Sequence, residues 1–223
     1  MPTAEAAPSA VSHVRRRMSA DVIGEAKAAL RRSMRERRDA LTAAERDEAS
    51  AAAARHAVSL IDRLGMKPAA VVAGYWPMRG EIDPRPALAA LAARGRPVAL
   101  PVVIRKDAPL VFRRWTPGDP LTRDAMGLEC PGETMPAHEP EFLLVPLLAF
   151  DAKGHRLGYG AGFYDRTIAA LRAKRRTAAF GYAYAMQQVS QVPAGAGDVR
   201  LDGIVTERDV IFSDAQQGAP GGR

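Results

Sequence analysis

Apolar positions recur at helical spacing near the start of the chain. This pattern predicts an amphipathic helix from about 22 to 39, whose polar face is basic. Thr42 and Glu45 stand three residues apart ahead of an alanine-rich run, as in a capping box, and so predict a second helix that ends at Leu64. The apolar residues of the first helix are Ile23, Ala26, Leu30, Met34 and Leu41.

From residue 69 onwards, short apolar runs alternate with helical stretches. Helices are predicted from Pro84 to Arg94 and from about 163 to 174. The segment 116–141, which holds five prolines, is expected to be mostly loop. This succession predicts an α/β protein, a three-layer α/β/α sandwich with a mainly parallel sheet. The predicted strands cover residues 69–76, 97–103, 110–115, 142–150, 177–183, 203–206 and 210–212.

The chain has 223 residues, of which 47% are hydrophobic, enough for one domain with its own core. The ends are rich in Ala, Pro, Ser, Gly and Gln. We therefore expect a disordered extension over 1–20, one domain over 21–213 and a flexible tail over 214–223.

Composition also bears on the compartment. No apolar run approaches the roughly 20 residues that cross a bilayer, and the N-terminus has no secretory apolar region. A single cysteine, Cys130, excludes an internal disulfide and a cysteine zinc cluster. We expect a cytoplasmic monomer without membrane contact. An arginine-rich start leaves an organellar transit peptide as an alternative, against which the acidic Glu5 and Asp21 argue.

Positive charge is concentrated in one segment. Between Arg15 and Arg38 there are nine basic and three acidic residues, and this window carries six of the seven net positive charges. Such a confined positive face suits an anionic partner: a nucleic acid, a nucleotide or a polyanionic small molecule. Composition does not choose among these.

The segment from Arg156 to Arg166 carries glycines at 158, 160 and 162, between a predicted strand and a predicted helix. Glycine permits positive φ and close approach of a ligand, so successive N–H groups can converge on an anion near the helix N-terminus. The spacing is neither a Walker A loop nor a Rossmann fingerprint. A phosphate cradle is the functional interpretation, and a tight strand-to-helix turn is the structural alternative.

The run from Asp151 to Arg166 resembles the signature of the 5-formyltetrahydrofolate cyclo-ligase family, also called 5,10-methenyltetrahydrofolate synthetase. Three further segments resemble that family in the same order: Lys27 to Arg31, Tyr75 to Asp83 and Leu201 to Glu207. The similarity covers about residues 24–212. It implies a fold similar to the ribose-5-phosphate isomerase and coenzyme A transferase group. It also implies ATP-dependent cyclisation of 5-formyltetrahydrofolate, with or without a polyglutamate tail, to 5,10-methenyltetrahydrofolate, ADP and phosphate.

The resemblance also implies site residues and the cofactors ATP and Mg²⁺. Lys27 and Arg156 would be catalytic, and Asp165 and Asp198 would bind magnesium, with Asp202 as a rival to Asp198. The ATP-binding residues would be Lys27, Arg31, Arg156, Leu157, Gly158, Tyr159, Gly160, Ala161, Gly162, Phe163 and Tyr164. The folate-binding residues would be Trp76, Met78, Glu81, Tyr159, Gly160, Ala161, Gly162 and Phe163.

Each of these assignments has a simpler alternative. Lys27 and Arg31 project from one helix face because they stand four apart, yet such pairs are commonly solvated charge. Trp76 would otherwise be a core residue, Glu81 a charge at a helix entry, and the aspartates turn or cap residues. The remaining arginines of the first helix are expected to be solvated and to steer anions. They are Arg32, Arg35, Arg37 and Arg38.

Ala161 and Phe163 depart from the family pattern, in which a basic residue or glycine and a tyrosine are common at these places. Because the backbone donors and the Tyr164 hydroxyl are retained, we expect altered rate or affinity rather than lost activity. Two other functions compete. A basic module could bind a nucleic-acid phosphate backbone, although we expect no nucleic acid; alternatively, a relative could bind ATP without the folate reaction.

Overall fold

The computed structural model describes residues 10–195 and 197–214, and side chains from residue 21 onward within these ranges. A 3-10 helix covers Ala185–Gln187. Within the described chain, no helix combines the length and apolar character needed to cross a membrane. The α-helices are α1 (Ala10–Asp39), α2 (Ala43–Arg63), α3 (Arg85–Ala93) and α4 (Phe163–Lys174).

The strands are mostly short. The first six are β1 (Val72–Ala73), β2 (Val98–Val102), β3 (Val111–Arg114), β4 (Leu121–Arg123), β5 (Glu129–Pro131) and β6 (Ala137–His138). The last six are β7 (Phe142–Pro146), β8 (Ala149–Phe150), β9 (Arg156–Leu157), β10 (Ala178–Tyr182), β11 (Gly203–Val205) and β12 (Val210–Phe212).

Eight strands form one sheet in the order β12-β11-β10-β7-β1-β2-β3-β6. The five strands from β11 to β2 are parallel, whereas β12, β3 and β6 pair antiparallel at the two edges. The predicted, mainly parallel sheet is therefore confirmed. Two ribbons stand apart from it, β4 with β5 and β8 with β9.

The sheet is covered by helices on both faces. Phe142 and Leu144 of β7 point into a core shared with α2 and α3. Leu143 and Val145, which alternate with them, point into a core shared with α4. Because successive strand residues face opposite sides, a continuous apolar run is what a strand buried on both faces needs. The predicted three-layer arrangement is confirmed, and the likeness to the isomerase and transferase group stays a prediction.

The first helix packs at the end of the sheet. Met34 joins Leu148, Leu157 and Val192 in a third apolar cluster, which lies against the β8–β9 ribbon. This contact places the basic face of α1 beside the loop that follows β9.

The predicted start of α1 near 22 is wrong, because the helix begins at Ala10. Residues 10–20, which we assigned to a disordered extension, are helical. Between Pro8 and Gly24 the sequence holds no glycine or proline, and it contains the run Arg15 to Met18, whose residue types are favourable in helices. Residues 1–9 and 215–223, which complete the predicted extension and tail, lie outside the described residues.

One predicted strand is divided in the structure. The run 142–150 forms two strands, because the chain leaves the main sheet after Pro146 and pairs again at Ala149 with β9. The segment 116–141 is mostly loop, as expected, and contains the short strands β4, β5 and β6. The capping box at Thr42 is present, with the hydroxyl accepting from the Glu45 amide at 3.2 Å.

Candidate active site

A cavity of about 450 Å³ opens at the carboxyl ends of the central parallel strands. Trp76 follows β1, Val103 follows β2 and Pro146 ends β7, and all three line it. This edge of an open α/β sheet is where ligands commonly bind, because the loops that leave parallel strands converge there. The cavity is large enough for a drug-sized ligand.

The glycine loop, residues 158–162, connects β9 to α4 and lines this cavity. Gly160 has φ +105° and Gly162 has φ +69°, and residues other than glycine avoid both of these backbone conformations. Gly162 is the N-cap of α4 and brings no capping side chain. Gly158, by contrast, has no positive φ, so the predicted backbone requirement holds for two of the three glycines.

The amides of this loop are available to a ligand. Within the described chain, those of residues 158–162 bind no acceptor, and the first amides of α4 are unpaired by the geometry of a helix N-terminus. Converging N–H groups with a helix dipole behind them form an anion site. The free amides of the glycine loop are therefore suited to an anionic ligand.

Two cations reach the same cavity from α1. Lys27 forms an ion pair with Asp198 at 2.7 Å between Nζ and Oδ2. The Nε of Arg31 donates to the carbonyl oxygen of Gly158 at 2.9 Å. Both side chains line the cavity, so the structure brings together the predicted pair and the glycine loop. Burial raises the pKa of Asp198, but hydrogen bonds from Lys27 and the Gly195 amide outweigh it and leave that pKa below its usual value.

Arg156 is buried at the back of the cavity, with 8% of the residue exposed. Its Nη2 donates to Asp165 Oδ1 at 2.7 Å, and its Nη1 donates to the Val199 carbonyl. Burial lowers the pKa of Arg156, and the Asp165 carboxylate opposes that shift. An arginine stays protonated under any such shift, so the guanidinium is a fixed cation in the cavity wall.

The two predicted magnesium ligands, Asp165 and Asp198, line the same cavity. Asp165 Oδ1 accepts from Arg156 and from the Val199 amide, and Asp198 accepts through Oδ2. Each carboxylate thus keeps one oxygen without a partner in the described chain. That donor set fits Mg²⁺, which usually takes one or two carboxylates and completes its shell with water and phosphate oxygens. In the described residues, no three acidic, His or Cys side chains form a cluster that could hold a metal alone.

Asp202, the rival to Asp198, lies elsewhere. It pairs with Arg172 at 2.8 Å and accepts from the Ala179 amide at 2.7 Å. It does not line the cavity. The structure therefore favours Asp198 over Asp202 as a residue of this site.

Glu81 lines the same cavity and is buried, with 8% exposed. Its Oε1 accepts from the Tyr159 hydroxyl at 2.6 Å and its Oε2 from the Met78 amide at 3.0 Å. Burial raises the pKa of Glu81, although both hydrogen bonds and the charge of Arg38 lower it in part. This carboxylate is a hydrogen-bond acceptor placed inside a partly apolar cavity.

Three aromatic residues of the predicted site line the same cavity as this carboxylate. Trp76 is half-buried, with the Arg85 guanidinium 4.6 Å from the centre of its ring and Trp115 at 6.1 Å in an edge contact. Phe163 lies beneath the guanidinium of Arg166. Among the described residues, the Tyr164 hydroxyl has no hydrogen-bond partner, and burial raises its pKa. All three predicted residues line the cavity.

Comparison with known proteins identifies the family of this chain. The model of the 5-formyltetrahydrofolate cyclo-ligase family matches residues 23–207. The chain belongs to that family. A 5-formyltetrahydrofolate cyclo-ligase of Haemophilus influenzae is 34% identical over 178 residues, which cover 77% of this chain and 92% of that protein. Its counterpart in Escherichia coli K12 is 32% identical over 182 residues, 79% of this chain and 98% of that protein.

Solved structures of methenyltetrahydrofolate synthetases share the fold. The Aquifex aeolicus protein superposes with a TM-score of 0.67 at 29% identity and covers 88% of this chain and 96% of its own. The Mycoplasma pneumoniae protein gives a TM-score of 0.64 at 24% identity and covers 81% of this chain and 98% of its own. Family membership makes this chain a ligase of folate metabolism.

One wall of the cyclo-ligase cavity was not predicted. Met126 and Leu128 lie in the tip between β4 and β5 and line the cavity while remaining 52% and 39% exposed. The Asp124 carboxylate accepts from the amides of both residues and shapes the turn. The sequence signal is the short Asp124 to Gly127 turn, which is compatible with a hairpin.

The prediction that Arg38 is solvated is wrong, since only 1% of this residue is exposed. Its Nη2 donates to the Tyr159 hydroxyl at 3.0 Å and to the Arg79 carbonyl. Arg35 is half-buried with its guanidinium 5.8 Å from the Tyr159 ring. Arg38 stands eleven residues after Lys27, three helical turns along the same face, and this spacing is the signal that locates it. Arg32 and Arg37 are exposed, as expected.

Proposed function

We propose that this cyclo-ligase uses ATP to convert 5-formyltetrahydrofolate to 5,10-methenyltetrahydrofolate, with release of ADP and phosphate. One observation carries the proposal. An anion site, made of the glycine loop with Lys27 and Arg31, and the buried carboxylate of Glu81 line a single cavity. A triphosphate and a flat heterocycle with N–H donors can therefore be held side by side.

The reaction needs the formyl oxygen to be made a leaving group. That oxygen attacks the γ-phosphorus, and the bond to ADP breaks. The folate N10 then attacks the activated formyl carbon and loses its proton, while phosphate departs with the original formyl oxygen. No covalent bond to the protein is required.

The protein's task is positioning and charge stabilisation, which dominate phosphoryl transfer. The free amides of the glycine loop, Lys27 and Arg31 are suited to the phosphate chain. Arg156, fixed by Asp165, is suited to stabilising charge that develops on the transferred group. Ala161 and Phe163 still contribute backbone donors at the same place. Their departure from the family pattern is therefore expected to change rate or affinity rather than to abolish activity.

Magnesium would be held by Asp165 and Asp198, each of which keeps one oxygen that no described residue contacts by a hydrogen bond. When bound, such an ion neutralises phosphate charge. Lys27, already paired with Asp198, would then lie beside the phosphate chain as well.

The pterin is assigned to the wall formed by Glu81, Trp76 and Met78. Each oxygen of Glu81 accepts one hydrogen bond from the protein and keeps capacity for another. The carboxylate can therefore accept from two N–H groups on one edge of the ring. Trp76 offers an aromatic surface for contact with the ring.

The assay is direct. Purified protein is mixed with 5-formyltetrahydrofolate and MgATP, and the near-ultraviolet absorbance of the methenyl product is recorded, with each reactant omitted in turn. We expect a gain that requires both reactants. ATP binding without any gain would reject this function and favour a relative that has lost the folate reaction.

An isotope experiment tests the order of bonds. Substrate labelled with oxygen-18 in the formyl group should deliver its label to the released phosphate. Label found in water instead would contradict the phosphorylated intermediate. The cytoplasmic location, the monomeric state and the absence of a nucleic-acid partner stay predictions.

A further inference from the structure

Arg38 is a buried cation outside the set of predicted site residues. In the described chain, the Arg38 side chain donates two hydrogen bonds, both from Nη2, whereas its Nε and Nη1 are buried without a partner. Burial of an incompletely paired charge is unfavourable for folding. An apolar side chain would fill this position with less penalty, so the presence of a guanidinium points to a role in the site.

The two acceptors of Arg38 belong to different segments of the active site. One is the hydroxyl of Tyr159 in the glycine loop, which in turn donates to Glu81 at 2.6 Å. The other is the carbonyl of Arg79, in the turn that leads into Glu81. Through one guanidinium, Arg38 therefore connects the glycine loop to the turn that precedes Glu81.

The turn at Arg79 is strained. Its φ of +51° makes it the one residue other than glycine with positive φ in the described chain. Such a conformation persists only where surrounding contacts hold it. The hydrogen bond from Arg38 to this residue's carbonyl is such a contact, and the Met78 amide that binds Glu81 lies in the same turn.

We propose that Arg38 is a positioning residue that fixes the Glu81 carboxylate for the pterin, by holding Tyr159 and the turn at Arg79 in place. The proposal rests on the proposed function for the identity of the ligand. It predicts an effect on folate affinity that is larger than any effect on ATP affinity or on turnover of the bound substrate.

Arg38 also sets the charge around Glu81. Burial raises the pKa of Glu81, and the positive charge of Arg38 lowers it. Loss of Arg38 must therefore raise that pKa further. The titratable or charged groups that face Glu81 are Arg38 from α1, Arg79 from its own turn, Tyr159 from the glycine loop, Tyr164 from α4 and Tyr75 after β1.

The first experiment compares Arg38→Met with Arg38→Lys, and uses Arg32→Met as the matched control, since Arg32 is an exposed cation on the same helix. Arg38→Met should raise KM for 5-formyltetrahydrofolate about tenfold, the loss expected for one hydrogen bond to a charged group. The Kd for ATP alone and kcat at saturating folate should each change less than about threefold. Arg38→Lys should recover part of the lost affinity, and Arg32→Met should match the unmodified enzyme.

The second experiment tests the route of action. If Arg38 acts through the Tyr159 hydroxyl, Tyr159→Phe and Arg38→Met should be strongly non-additive, and the double variant should show nearly the same folate KM as the more affected single variant. Independent, multiplying effects would contradict the proposal. So would a loss confined to kcat, with unchanged folate KM.

The third measurement needs no substrate. Carbon-13 NMR follows the carboxyl signals of the glutamates, and the signal that is missing in Glu81→Gln is assigned to Glu81. This signal should titrate at higher pH in Arg38→Met than in the unmodified protein or in Arg32→Met. An unchanged Glu81 titration would overturn the inference whether or not the enzyme turns over. Absence of methenyl product from the unmodified protein would count against the proposed function alone.

Discussion

Replacement of Gly162 by alanine tests whether the glycine loop is held in the conformation that exposes its amides. Gly162 has φ +69° and ψ 10° at the N-cap of α4. An L-residue in this left-handed region costs about 1–2 kcal/mol. An added Cβ would also lie 2.8 Å from Arg166 Nη1.

Arg166 must then shift, and its Nη2 donates to the Ala161 and Lys106 carbonyls. Weakening these hydrogen bonds adds about 1 kcal/mol. The free energy of unfolding should therefore fall by about 2–3 kcal/mol in Gly162→Ala. Gly158→Ala is the matched control, because Gly158 has no positive φ and a Cβ there meets nothing within 4 Å. Its unfolding free energy should change by no more than about 0.5 kcal/mol.

The assay is urea unfolding followed by tryptophan fluorescence, with and without ATP. Bound ATP stabilises the folded state in proportion to its affinity, so the ATP-dependent rise in the midpoint should shrink in Gly162→Ala, whose amides are displaced. Equal unfolding midpoints for the two alanine variants without ATP would show that a left-handed backbone at position 162 costs an alanine no stability.

Four further changes test separate parts of the site by steady-state kinetics. Lys27→Met should raise KM for ATP about tenfold or more, because one cation of the phosphate site is lost; an equal rise in KM for folate would contradict this role. Glu81→Gln should raise KM for folate about 10–100-fold by removing a charged acceptor. In the unmodified enzyme that KM should rise as pH falls through the raised pKa of Glu81, since the acceptor carboxylate becomes protonated, and Glu81→Gln should remove this pH dependence. Met126→Ala should raise KM for folate several-fold through lost apolar contact, about 1 kcal/mol, and leave KM for ATP unchanged; a change confined to ATP would show that this wall faces the nucleotide. Asp198→Asn should increase the magnesium concentration needed for half-maximal rate about tenfold, and Asp202→Asn should not; the reverse result would reassign the second ligand.

Local patterns predicted most of the framework, because the interactions behind them are local. Thr42 and Glu45 satisfy each other's backbone groups within one turn, so a capping box is visible in four residues. The apolar run of β7 is continuous because both faces of that strand are buried. These features depend on neighbours in sequence or on the periodicity of a strand.

Long-range contacts set the remaining features. Apart from its helical spacing to Lys27, nothing in the sequence distinguishes Arg38 from the exposed Arg37 beside it, and arginine is mostly a surface residue. Arg38 is buried because Tyr159, 121 positions away, and the turn at Arg79 close over it. The family resemblance did not identify it either, since the prediction assigned roles only to Lys27 and Arg31 on that helix.

The wall formed by Met126 and Leu128 was missed for a different reason. Prolines around it indicate irregular backbone, yet the ribbon of β4 and β5 forms between them and turns at Asp124. The two apolar side chains face a cavity because this ribbon packs beside β2. Strands of three residues are too short for a periodic pattern to reveal such packing.

We propose above that the glycine loop holds a triphosphate next to the pterin site at Glu81. A crystal structure of the enzyme with Mg²⁺, a non-hydrolysable ATP analogue and 5-formyltetrahydrofolate would show both ligands at once. We expect phosphate oxygens within hydrogen-bond distance of the loop amides between Gly158 and Gly162 and of Lys27, with the pterin edge on Glu81. A triphosphate bound away from this loop, or a pterin turned away from Glu81, would contradict this proposal.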